Sequence, residues 1–312
     1  GMAEGMARSP MAGNINFEDA EASMNQMIDL AQNMVEDGAY GVFGLQIGTT
    51  GVGAQFAMDF EPGSETAKMF SESGNSADLL AALPNQPYIF ASAYDLKCSA
   101  ATELMDLAKQ LQAFSGMGDG AMQGLGGMMD GTTGGASALY PSPGGLMGGL
   151  FTGMLNYTRV DDTNKYVENM QKMSEKGGPM PMSLTTNESQ LNGHAVHGWS
   201  MSLPMDHNDP AAMQMMQMSQ MLFGGMQMGG YLVESDGGVY QTMSRNLSLV
   251  ETAMGEGQTL ADNGAIKQVR QHLPSPAAAE GYFGMGALSQ MLQPMAAMMG
   301  MQIQTPVPAD LA

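Results

Sequence analysis

Residues 76–111 read SADLLAALPNQPYIFASAYDLKCSAATELMDLAKQL, and residues 264–299 read GAIKQVRQHLPSPAAAEGYFGMGALSQMLQPMAAMM. Each stretch runs from a short helical segment through a Leu-Pro pair, Leu83-Pro84 or Leu273-Pro274, into a strand-like run and then a helix. Proline lacks an amide hydrogen and clashes with the turn before it, so it stops each first helix at a defined place. With two extra residues allowed in the second copy, Phe90 matches Tyr282 and Leu96 matches Leu288. A unit stated twice points to duplication, and so to two similar halves.

Working outward from those units divides the chain. Residues 1–15 read as a flexible arm, 16–115 as the first half, 116–153 as a Gly/Met-rich connection, 154–303 as the second half and 304–312 as a tail. In the first half, Phe17, Ala20, Met24, Met27, Ile28, Ala31, Met34 and Val35 recur at helical steps, behind Asn16 as a cap and ahead of Gly38. Residues 40–60 are strand-rich on both sides of Thr49-Thr50-Gly51, which predicts a hairpin. Residues 99–114 place Ala100, Leu104, Leu107, Ala108 and Leu111 on one helical face.

The second half predicts a strand near 150–162, a helix over 163–176 and strands over 182–188 and 194–203. A helix follows over 209–223, with Pro210 in its first turn, and then a hairpin around Asp236-Gly237. The last helix contains Pro294, which should kink or interrupt it. Hairpins are antiparallel, and the elements do not alternate strictly between strand and helix. The fold class is therefore α+β, as two similar halves, each an antiparallel sheet packed by helices.

Charge excludes one class of partner. Charged residues are only 13% of the chain, with 31 acidic against 11 basic and a formal net charge of -20. Such a field repels phosphate backbones, so no nucleic acid is expected. No run of about 18 apolar residues occurs, so no transmembrane segment is expected. The single cysteine, Cys98, allows no internal disulfide and no cysteine zinc cluster. It reads as a small apolar residue rather than a nucleophile.

Methionine is the strongest compositional bias, with 36 residues. One cluster holds Met213, Met215, Met216, Met218, Met221, Met226 and Met228, and a second lies at Met285, Met291, Met295, Met298, Met299 and Met301. Helical spacing puts Met213 and Met216 on one face and Met215 and Met218 on another, so one set must meet solvent or a partner. Met215, Met218, Met221, Met226 and Met228 are thus candidates for an apolar surface, since flexible thioethers suit varied apolar partners. The competing chemistry is copper(I), for which Met213, Met216, His194 and His207 are the candidate ligands. On a strand, however, His194 and His197 would face opposite sides and could not share one ion.

Other signatures are missing. The glycine-rich run has no lysine for a phosphate-binding loop and follows a helix rather than a strand. There is no Gly-x-Ser-x-Gly elbow and no His-Glu-x-x-His pair. The Asn-x-Ser/Thr triplets at Asn156, Asn187 and Asn246 are too short to carry an argument.

With its repeated Leu-Pro, strand and helix unit, the chain resembles uncharacterised secreted bacterial envelope proteins. The resemblance implies an extracytoplasmic, periplasmic or secreted protein, with Gly1-Met2 reading as a tag remnant and the signal peptide expected ahead of it. The sequence thus leads to a non-enzymatic binding or scaffold protein without cofactor. It would use an apolar, methionine-rich surface to hold an unknown protein or apolar ligand, with copper handling as the alternative.

Overall fold

The computed structural model describes residues 28, 32–33, 35–48, 51–69, 74–97, 131–142, 148–176, 182–202, 219–225, 227–271 and 277–298. Among them two sheets form, and every ladder is antiparallel. The class is α+β. The smaller sheet is the hairpin expected over 40–60: β1 (Gly38–Gly48) pairs with β2 (Gly51–Phe60), and Gly48 faces Gly51 across the turn. A short helix, α1 (Glu65–Met69), follows it.

The larger sheet has eight strands. These are β3 (Phe90–Asp95), β4 (Thr132–Leu139), β5 (Met154–Val160), β6 (Met182–Leu191), β7 (His194–Ser202), β8 (Gln227–Ser235), β9 (Gly238–Thr242) and β10 (Ala279–Phe283). Their spatial order is β10-β3-β4-β5-β9-β8-β7-β6. Two meanders, β3 to β5 and β6 to β9, meet along the β5–β9 ladder, and β10 returns to pair with β3. The strands of the two Leu-Pro units are therefore neighbours, with Phe283 opposite Phe90 and Tyr282 opposite Ala91. Both stretches assigned to halves feed this one sheet. The glycine-rich connection over 116–153 supplies β4, which lies between β3 and β5.

Turn chemistry fixes the second meander. Asn192 and Gly193 both hold positive φ, at 50° and 86°, between the paired residues Leu191 and His194. Both central residues of a type I′ turn need that geometry, which suits the twist of a tight hairpin. The outermost strand, β6, is bulged between Thr185 and Ser189, with Asn187 at φ 53°. A bulge of this kind bends an edge away from unwanted pairing.

One face of the large sheet carries the main core. Ala91, Ala93, Ala136, Ala138, Leu155, Val196, Val233, Tyr240 and Tyr282 pack beneath Leu79, Leu80 and Leu83 of the 3₁₀ turn Ser76–Ala82 and its end. Val250 of α3 (Ser248–Ala253), Leu260 and Ile266 of α4 (Gly264–Arg270) complete the layer. The Leu83-Pro84 junction is clamped there: Leu260 N donates to Leu83 O at 2.8 Å, and the Tyr140 hydroxyl donates to Pro84 O at 2.9 Å. Those bonds satisfy carbonyls that a proline-terminated helix leaves without partners.

The opposite face is covered by α2 (Thr163–Lys176), which starts at the residue the sequence predicts. Asp162 caps it, its Oδ1 accepting from Lys165 N at 3.0 Å. Tyr166 and Met170 of α2 close over Val160, Trp199, Leu232 and Val239. The last helix, α5 (Met285–Met298), continues past Pro294 rather than ending there. The helix expected over 99–114 and Cys98 lie outside the described residues, as does most of the stripe at 16–36. Two described members of that stripe, Ile28 and Val35, are exposed.

Candidate functional site

On the main-core face, the 3₁₀ turn Ser76–Ala82 stops short of the β8–β9 turn and leaves a cleft of about 420 Å³. Its polar lining comes from five places in the chain: Asp78 on the 3₁₀ turn, Tyr157 and Arg159 on β5, His194 on β7, Asp236 in the hairpin turn and Tyr240 on β9. Strand alternation explains the grouping. Tyr157 and Arg159 are two apart on β5, and Tyr240 is the register partner of Tyr157 across the ladder. Their rings lie 4.9 Å apart with planes at 48° and form an aromatic wall. Leu79 and Met254 add apolar surface.

Arg159 is held in place before any ligand arrives. Its Nη2 donates to Asp95 Oδ1 at 2.8 Å and to Thr133 O at 2.7 Å, while Nε donates to Thr133 Oγ1 at 2.9 Å. Nη1 makes no hydrogen bond among the described residues. Asp95 is buried at the end of β3 and also accepts from the amides of Asn75 and Lys97. Burial pushes this carboxyl up, but the two amide bonds and the Arg159 guanidinium outweigh it and leave its pKa below the usual value.

The hydroxyls of the aromatic wall make no hydrogen bond among the described residues. Tyr240 is 5% exposed and lines the cleft. Burial raises its pKa, with Tyr157 adding to the effect, so it is an O–H donor at neutral pH. Tyr157 is raised by burial too, partly offset by Arg159. His194 is half-buried at the cleft, and its imidazole makes no hydrogen bond among the described residues. Asp78 accepts one, from Asn75 Nδ2 at 2.8 Å. The nearby Ser235 hydroxyl is committed to Gly238 O at 2.9 Å.

A second feature is apolar and lies at the β10–β3 edge of the sheet. Phe283 is 69% exposed and Met285 64% exposed, where β10 passes into α5. The Phe283 ring leans on Phe90 with centroids 5.1 Å apart, and Leu139 is the register partner of Phe90 on β4. Tyr94, 38% exposed, shares the face of β3 that carries Phe90. A carbon added to Gly135 would meet the Tyr94 hydroxyl at 2.7 Å, so this ring lies directly over β4.

The residues singled out in the sequence fall in several places. Met221 is half exposed, whereas Met228 sits on β8, partly buried against the α2-covered core. Met213, Met215, Met216, Met218, Met226 and His207 lie outside the described residues. His194 and His197 do take opposite faces of β7. His197 is buried, with Nδ1 accepting from Asn187 N at 3.2 Å and Nε2 at 3.0 Å from Glu234 Oε1. An accepting Nδ1 puts the neutral ring's proton on Nε2, facing the carboxylate. Among the described residues no group of three His, Cys, Asp or Glu side chains is placed to hold a metal ion, and no helix is long and apolar enough to cross a membrane.

The sequence reading missed Arg159, Tyr157, Tyr240 and Asp78. The available signal was the i, i+2 spacing of Tyr157 and Arg159 on a predicted strand, which puts a ring and a guanidinium on one face. Comparison of the chain with protein-family models, curated proteins and solved structures gives no match.

Proposed function

We propose that this chain is a non-enzymatic binding protein of the cell envelope that holds a protein partner through an apolar surface. The observation that carries this reading is the exposed Phe283 ring leaning on Phe90 at the β3–β10 edge of the sheet, with exposed Met285 two residues on and Tyr94 on the same face of β3 as Phe90. Isolated exposed apolar side chains are ordinary, but large ones grouped on one face are characteristic of interaction surfaces. Aromatic and methionine side chains are enriched at the centre of such interfaces. An acidic surface with few lysines would turn away nucleic acid and anionic lipid and leave an apolar protein segment as the favoured partner. The extracytoplasmic location comes from the resemblance of the repeated Leu-Pro unit to envelope proteins.

Analytical ultracentrifugation and native mass spectrometry of the full chain test the reading. The expected result is an associated species or a carried partner that Phe283→Ser combined with Met285→Gln abolishes without lowering the melting temperature. A monomer with no carried mass, unchanged by the double substitution, would count against it.

A further inference from the structure

Two hollows among the described residues differ in their lining. In the hollow of about 330 Å³ beside Tyr140, several lining hydroxyls are used internally. Tyr140 donates to Pro84 O, Thr152 to Gly149 O at 2.7 Å, and Ser244 to Thr152 O at 2.9 Å. In the cleft of about 420 Å³, the side chains of Tyr240, Tyr157 and His194 and the Nη1 of Arg159 have no hydrogen-bond partner among the described residues. None of these atoms is sealed from solvent, so donors on the walls of one recess are open to a ligand that enters it.

The chemistry of that ligand follows from the lining. The Arg159 charge is balanced at close range by Asp95, which leaves Asp78 and Asp236 at the exposed rim and gives the cleft a negative balance. That disfavours an anion. The floor donates, through two phenols and a guanidinium edge, while the rim accepts, through two carboxylates. A ligand that suits both must carry groups able to donate and accept, together with a hydrocarbon face for the tyrosine wall and Leu79. Hydroxyls on a saturated ring have that combination. The volume of about 420 Å³ falls in the ordinary range for small-molecule sites.

We infer that the cleft between the Ser76–Ala82 turn and the β5–β9 ladder binds a neutral, hydroxyl-rich ligand, a saccharide unit. Tyr240, Tyr157 and Arg159 donate to its oxygens, and Asp78 and Asp236 accept from its hydroxyls. This stands apart from the apolar corner and does not depend on it.

Saturation-transfer NMR on the full chain, followed by isothermal titration, tests the assignment. The probes are glucose, galactose, N-acetylglucosamine and cellobiose, with glutamate and putrescine as charged controls. At least one sugar should show transfer at about 10 mM, the weak-binding regime for a single small ligand. Tyr240→Phe and Tyr157→Phe should each weaken that sugar roughly 3- to 10-fold, the loss expected for one hydrogen bond. Neither should change the unfolding curve, because neither group bonds within the described fold. The inference is overturned if none of the four sugars responds, if only glutamate or putrescine binds, or if sugar affinity ignores both substitutions.

Discussion

The two ends of the large sheet are built from different materials. Around β7, β8 and β9 the second face carries Trp199, Leu232 and Val239, and α2 seals them with Tyr166 and Met170. Around β3 and β4 the strands offer mainly alanine, glycine and serine, and neighbouring side chains fill the space. Tyr94 lies over Gly135, while Leu79 and Arg159 crowd Gly134. The first end is held by apolar burial under a helix. The second shares the main core beneath Leu79, Leu80 and Leu83 and adds polar links between distant parts of the chain, Arg159 with Asp95 and Arg270 with Glu280. A sheet end made of small residues can admit a guanidinium and several tyrosines, which is why the polar cleft opens beside it and the apolar corner lies on its other face.

The largest test of this contrast removes the covered end's anchor. Trp199 is buried, with its indole N–H donating to Thr242 O at 3.1 Å. Trp199→Ala should cost about 3–5 kcal/mol in urea unfolding, from lost burial and the cavity left behind. A loss below about 1 kcal/mol would mean that this end is not held by apolar packing.

At the small-residue end, Asp95→Asn leaves Arg159 without its counter-charge. Removing one partner of a fully buried pair costs about 3–5 kcal/mol, but the Arg159 side chain is 24% exposed, so about 2–3 kcal/mol is expected. Because the folded-state pKa of Asp95 is lowered, its contribution is fully present above the unfolded value of about 3.9 and fades as pH falls through the folded value. The gap between wild type and Asp95→Asn should therefore close on acidification. A gap independent of pH would refute the charge argument.

The Arg270–Glu280 link titrates at the other extreme. Arg270 Nη2 and Nε reach Glu280 at 2.8 and 3.1 Å, and the Tyr282 hydroxyl donates to the same carboxylate at 2.6 Å. Burial, then that hydrogen bond, pushes the phenol up to about 12. An unfolded tyrosine titrates near pH 10, so the fold holds this proton more tightly, and the associated stability is present below about pH 10 and lost towards about pH 12. Tyr282→Phe should flatten that alkaline decline, as followed by circular dichroism.

The smallest effect on stability belongs to the apolar corner. Phe283→Ser should stay within about 0.5 kcal/mol of wild type, since the ring is mostly in solvent. A larger loss would make Phe283 part of the core rather than of a contact surface.

Local pattern carried much of the fold. Alternating, β-rich arms around a short turn gave the β1–β2 and β8–β9 hairpins, and apolar residues at helical steps gave α2 from its first residue. The strand after Leu83-Pro84 was legible because proline ends the helix before it. By contrast β4, TTGGASAL, carries no apolar alternation of its own and reads as a connection. Its buried state comes from Tyr94, Leu79 and the strands on either side. The last helix was expected to contain Pro294, and α5 does run past it, without the interruption that proline in isolation argues for.

Of the candidate sites, the sequence placed His194 and His197 on opposite faces of one strand, because side chains alternate along any strand whatever surrounds it. It could not assemble the cleft, whose groups run from Asp78 to Tyr240 and meet only when β9 returns to pair with β5. What the chain determined alone was charge, turns, periodicity and the stops imposed by proline, all set within a few neighbouring residues. Tertiary structure decided which strands share an edge, which small residues are overlaid, and which donors go without a partner, because those depend on contacts between residues far apart in sequence.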